Sequence, residues 1–155
     1  MTLHLPINGA CNLRCVFCSA QGRRGRYALA SLLSQIDRDK TGHVQISGGE
    51  PLARKPAELL KILLWCRKKG KRVELQTNGT LIDAYDEKKL RLIVGLVGHF
   101  NINFSAHTPE IESAVTASPE AFAPRVRGIR RLLRLGAVVR LNYVVCRPNY
   151  RHCAS

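Results

Sequence analysis

No apolar run in this 155-residue sequence approaches the ~20 residues needed to cross a bilayer, which excludes a helical membrane span. The opening stretch MTLHLPINGAC has no basic segment followed by a long apolar one. That predicts no export signal and a cytoplasmic location, where thiols stay reduced. Low-complexity tracts and sequence-level repeats are also missing, so neither a linker-rich nor a solenoid chain is expected. Acidic side chains are scarce, with 11 Asp and Glu against 25 Lys and Arg and a net charge of +14. Such a balance suits a nucleic-acid partner or a dispersed basic surface. The positions favour the second. Arg67, Lys68, Lys69, Lys71 and Arg72 crowd one helix end, and Arg125, Arg127, Arg130, Arg131 and Arg134 spread over another helix.

What is present is a rhythm. Runs rich in β-formers fall at Thr2–Ile7, His43–Ser47, Arg72–Thr77, His99–Ser105 and Ala137–Val145. Four helical stripes alternate with them: Leu29, Leu32, Leu33, Ile36; then Leu59, Leu60, Leu63, Leu64; then Leu90, Ile93, Val94; then Phe122, Val126, Ile129, Leu133. Pro56 opens the second helix and Gly70 closes it, Asp86 and Glu87 start the third, and Gly136 ends the fourth. Pro124 moves the start of the fourth toward Ala123. Strands alternating with helices predict an α/β fold with a parallel sheet. VQIS, INFS and LNYVV are apolar enough to be expected buried on both faces. A closed eight-unit barrel takes ~250 residues. About five strands and four helices therefore predict one domain over residues 1–155, an incomplete parallel (β/α) barrel that stops after strand five.

CNLRCVFC, residues 11–18, places three cysteines in eight residues. A closed zinc site takes four ligands, and no well-spaced fourth follows. A [4Fe-4S] cluster also usually takes four thiolates. Three would leave one iron open to a cofactor or substrate. Stray or zinc-binding cysteines remain the alternative for this motif alone. ISGGEPL, Ile46–Leu52, directly follows a strand. Gly48 and Gly49 permit close approach to the backbone, Glu50 offers a carboxylate to an ammonium group, and Pro51 shapes the turn. A plain turn is the competing reading. Both stretches lie at C-terminal strand ends, where parallel α/β folds place their chemistry.

CxxxCxxC with aromatic Phe17 before the last cysteine, followed one strand later by GGEP, resembles the radical S-adenosylmethionine (SAM) superfamily from about Leu3 to His152. The resemblance implies that Cys11, Cys15 and Cys18 ligate three irons of a [4Fe-4S] cluster and that SAM binds the fourth. It implies SAM contacts from Phe17, Gly48, Gly49, Glu50, Pro51, Asn78, Ser105 and Asn142. It further implies reductive cleavage of SAM to a 5′-deoxyadenosyl radical that takes hydrogen from a substrate, with an electron donor such as flavodoxin or ferredoxin. No catalytic side chain is assigned.

Peptide- and cofactor-maturing members are the branch most resembled, so a peptide is one candidate substrate. An RNA-modifying enzyme and a non-catalytic truncated fragment are the competing readings. The second rests on the missing sixth strand and on the stop after Cys153, Ala154 and Ser155. Of the remaining candidates, His107 lies past strand four, Cys66 reads as core, and Cys146 and Cys153 stand singly.

Overall fold

The structure is a computed structural model that describes residues 1–22 and 25–153; Ala154 and Ser155 lie outside the described residues. Five parallel strands run in the order β1 (Leu3–Asn8), β2 (His43–Gly48), β3 (Arg72–Thr77), β4 (His99–Asn103) and β5 (Val139–Asn142). The helices are α1 (Leu29–Arg38), α2 (Pro56–Lys68), α3 (Glu87–Leu96), α4 (Pro109–Thr116) and α5 (Phe122–Arg134). The open α/β sheet agrees with the expected incomplete barrel. No helix among the described residues is long and apolar enough to cross a membrane.

Local chemistry explains most boundaries. Pro56 occupies the first turn of α2, where no N–H is needed. The Asp86 carboxylate accepts from Lys89 N at 3.1 Å and caps α3. α5 starts at Phe122, which leaves Pro124 harmlessly in the first turn. α4 is an addition to the four expected helices. Its start carries a recognisable signal: the Thr108 hydroxyl accepts from Ile111 N, and Pro109 follows directly.

The two faces of the sheet differ. The convex face carries Leu5 and Ile7, Val44 and Ile46, Val73 and Leu75, and Phe100 and Ile102, all buried. Leu32 and Ile36, Ile62 and Leu63, Ile93 and Leu132 cover them from the helices. Each such side chain gains roughly 1.5–3 kcal/mol by leaving water. The alternate residues face the concave side. Gln45 is in register with Glu74, Glu74 with His99, Gln76 with Asn101, and Asn103 with Asn142, so these polar groups share one face. This corrects the expectation of strands apolar on both sides: VQIS alternates, and Leu141, Tyr143 and Val145 near β5 are exposed.

Two helical stripes also shift. In α2 the buried set is Leu59, Ile62, Leu63 and Cys66, with Leu64 54% exposed. In α5 it is Arg125, Gly128 and Leu132, while Leu133 is 55% exposed. A side chain at Gly128 would press on the Gly79 carbonyl and Ile82, so close backbone contact turns α5 away from the stripe its apolar residues suggest.

Candidate active site

The cysteine loop leaves β1 and returns to it. Asn8 bridges Arg26, and Gly9 N donates to Gly25 O at 3.0 Å, closing the loop at its base. Arg54, buried at the end of the Pro51–Ala53 turn, donates to Ile7 O at 2.5 Å and Tyr27 O at 3.0 Å. One guanidinium thus grips both strands of the base, with Glu58 2.9 Å away balancing its charge. Farther out, Arg14 N and Val16 N donate to Thr116 O at 3.1 Å and Val115 O at 2.9 Å, docking the loop on the end of α4.

Cys11, Cys15, Phe17 and Cys18 line one cavity of about 270 Å³ at the C-terminal ends of the strands, facing Gly48, Gly49 and Asn78. A larger cavity of about 410 Å³ opens at the other end, against His43, Arg72 and His99, and holds no cysteine. Burial pushes the Cys15 thiol up to about 11, so ligation there must displace a proton. Leu13 N and Asn78 Nδ2 approach Cys11 Sγ at 3.4 and 3.7 Å. Among the described residues, no three His, Cys, Asp or Glu side chains converge on a single metal ion. A cuboidal cluster does not require that, because each thiolate takes a separate iron. Three thiols on a short loop, facing one cavity with N–H donors toward sulfur, fit such a cluster.

The GGEP segment is laced to this loop. Gly48 has φ +127°, and a Cβ there would strike the Asn8 carbonyl; one on Gly49 would strike the Ala10 carbonyl. Gly49 N donates to Asn8 O at 2.5 Å and Glu50 N to Ala10 O at 2.9 Å. The close approach expected at these glycines is therefore occupied on one side by the cysteine loop itself.

Glu50, expected to offer its carboxylate to an ammonium group, is engaged by the protein on both oxygens. It is fully buried, and burial pushes its carboxyl upward against the hydrogen bonds that favour its charge. Its oxygens accept from Leu52 N (2.9 Å), Thr77 Oγ1 (2.7 Å) and Asn78 N (2.8 Å). It joins the turn after β2 to the turn after β3 and does not line the cavity. Pro51 is likewise buried beneath the turn it opens.

Asn78 faces the cavity and is held on several sides. Its Nδ2 donates to Asn12 Oδ1 at 2.9 Å, and its Oδ1 accepts from Thr80 N at 3.0 Å. Ser105 is fully buried: its hydroxyl donates to Asn103 Oδ1 at 3.1 Å and accepts from Val144 N at 2.9 Å. That internal use keeps it out of the cavity wall, whereas Asn142 and Phe17 do line it. His107 is exposed away from the cavity, its ring 5.4 Å from that of His152. Cys66 is core, as expected.

One functional side chain escapes the sequence reading. Arg125, grouped there with the solvated basic surface, is fully buried, lines the cavity, and donates from Nε to Asn78 O at 2.6 Å. Its partner is the buried Glu112 of α4. Burial pushes the Glu112 carboxyl up and the Arg125 guanidinium down, and the charge of each works against the shift of the other. The sequence carries no signal for it, because the partner lies on another helix.

The family model described as the radical SAM superfamily matches residues 5–150. The chain is 34% identical over 155 aligned residues to a probable GTP 3′,8-cyclase of Pyrobaculum aerophilum, covering 94% of this chain and 48% of that protein. It is 30% identical to an Fe-coproporphyrin III synthase of Methanosarcina barkeri, covering 91% and 36%. The fold of Streptococcus suis SuiB superposes with a TM-score of 0.69 at 17% identity, over 97% of this chain and 34% of that one. The chain spans about half the length or less of the curated relatives it matches.

Proposed function

This chain belongs to the radical SAM superfamily, and on that premise we propose that it is the core of an enzyme acting by reductive cleavage of SAM. Members of the superfamily use a [4Fe-4S] cluster and SAM. Held there, such a cluster and SAM would supply one-electron reductive cleavage of SAM and hydrogen-atom abstraction from a substrate. One observation carries the reading: three thiols of one pinned loop share a cavity with the glycine backbone after β2 and with Asn78 after β3.

In this reading Cys11, Cys15 and Cys18 hold three irons and leave the fourth to SAM. Backbone at Gly48 and Gly49, with Phe17, Asn78 and Asn142, binds and orients the cofactor. Glu50, Pro51 and Ser105 act one step back. Glu50 fixes Asn78 against the glycine turn, Pro51 shapes that turn, and Ser105 holds Asn103 and Val144. The cavity is open to solvent at Cys11 and Cys18, and the substrate enters from the concave face of the sheet. The reductant is a flavodoxin- or ferredoxin-like donor. Similarity to a cyclase named for GTP and to a coproporphyrin synthase supports a role in cofactor maturation.

The test is anaerobic reconstitution with iron and sulfide, followed by SAM and a strong reductant. The expected result is release of 5′-deoxyadenosine that disappears when any of the three cysteines is replaced. Iron-loaded protein that binds SAM and releases no 5′-deoxyadenosine overturns the proposal.

A further inference from the structure

Below the cavity, in the middle of the concave face, Glu74 collects amide donors. Its Oε1 accepts from Asn101 Nδ2 at 2.8 Å, Gln45 Nε2 at 2.9 Å and, more weakly, Gln76 Nε2 at 3.4 Å. His99 Nε2 lies 3.1 Å from Oε2. An ionised carboxylate only accepts hydrogen bonds. It therefore dictates which end of each neighbouring carboxamide turns toward it: the NH₂ ends point at Glu74, and the carbonyl ends point away.

For Gln76 and Asn101 the consequence reaches the cavity, because both line it. Asn101 is 6% exposed, and its Oδ1 is buried without a partner among the described residues. A buried acceptor of this kind calls for a donor. Gln76 and Asn101 precede Asn78 and Asn103 by two residues on their strands, so they sit about 6–7 Å deeper at ~3.3 Å per residue. They form the floor beneath the groups assigned above to the cofactor. The positive charge in the cavity wall belongs to Arg125, beside Cys15 at the rim. Arg140, in register with Asn101, is exposed on the β5 side.

We propose that the floor formed by Gln76 and Asn101, oriented by Glu74, selects a substrate whose inserted end carries N–H donors, such as an amide, urea or amine, and rejects a phosphate or carboxylate end. The proposal rests on the radical SAM reading for the identity of the site, but its own content is a binding preference that needs no turnover. Gln76 touches the substrate, Asn101 backs it with a carbonyl oxygen closed to solvent, and Glu74 is a positioning residue that acts through both.

Three small probes test it on the anaerobically reconstituted protein, titrated by ligand-observed NMR: 2-imidazolidinone, its 1,3-dimethyl derivative, and inorganic phosphate. The first two are neutral and share a ring, and they differ in two N–H donors. The expected result is about tenfold weaker binding of the dimethyl compound, since each lost hydrogen bond leaves a buried acceptor unpaired. Glu74→Gln supplies an amide that can donate, so Gln76 or Asn101 can reverse. That variant should lose the preference between the two ureas and gain affinity for phosphate. Gln76→Met leaves the Asn101–Glu74 bond intact and should weaken 2-imidazolidinone severalfold without changing phosphate. Equal binding of the two ureas by the parent protein, a preference for phosphate, or failure of all three to bind overturns the proposal. Iron content and 5′-deoxyadenosine release, measured on the same samples, report separately on the radical SAM reading.

Discussion

The two faces of one sheet obey different rules. On the convex face every inward position is aliphatic or aromatic, and its partners are helix side chains of the same kind. Exchange of one such residue for another is a question of volume. On the concave face nearly every side chain is polar, and its partners are turns, amides and the cysteine loop. There, exchange is a question of which atom donates and which accepts. One face sets how stable the chain is, and the other sets what it can hold.

The sharpest way to break this division is Cys15→Ala. Iron content after reconstitution should fall to background and the visible charge-transfer absorbance should vanish, while the far-ultraviolet circular dichroism of the unloaded chain stays unchanged. The opposite break is Leu63→Ala, beneath the convex face. It should cost about 2–5 kcal/mol in a urea melt, and the fraction that remains folded should still load iron.

Arg54→Met tests the junction between the two regions. Removing the grip on Ile7 O and Tyr27 O should speed iron release to a chelator and increase hydrogen exchange in the cysteine loop. The stability cost should be about 1–3 kcal/mol, because buried carbonyls lose charged donors. Unchanged iron release would assign Arg54 to packing alone.

The smallest effect is in acid. Burial opposes ionisation of Glu74, yet Asn101, Gln45 and Gln76, with His99 nearby, hold its carboxyl below the usual range. A depressed carboxyl stabilises the fold above its unfolded value of about 4.3 and loses that contribution as pH falls through the folded value. Below about pH 4, Glu74→Gln should therefore show a shallower loss of thermal midpoint than the parent chain.

Much of this was legible in the sequence. CNLRCVFC and GGEP locate the two turns that meet, and strand–helix alternation places both at one end of the sheet. The polar face was also written in the strands, since Gln45 and Ser47 alternate with Val44 and Ile46. Their high content of β-formers concealed the period of two. α4 was announced by Thr108 and Pro109, but it is short and carries little apolar stripe. Arg125 was not legible, because an arginine on a basic helix reads as surface until its partner is known. That partner, Glu112, is 13 residues away on another helix. The internal roles of Glu50 and Ser105 were hidden for the same reason: a side chain's use depends on which turn lies opposite, and that is set by the packing of the sheet.

The docking of the cysteine loop on α4 bears on how such a chain can diversify. Arg14 and Val16 lean on the carbonyls of Thr116 and Val115, where Ala117 turns the chain with φ +52°. The β4–α5 connection is thus a buttress of the cysteine loop. A lineage that lengthens or reshapes it disturbs the footing of Cys11, Cys15 and Cys18 in the same step. The stretch beyond β5 carries a like duty: Asn149 Nδ2 donates to Ser105 O and Val144 O, so a change there reaches the cavity wall at Val144.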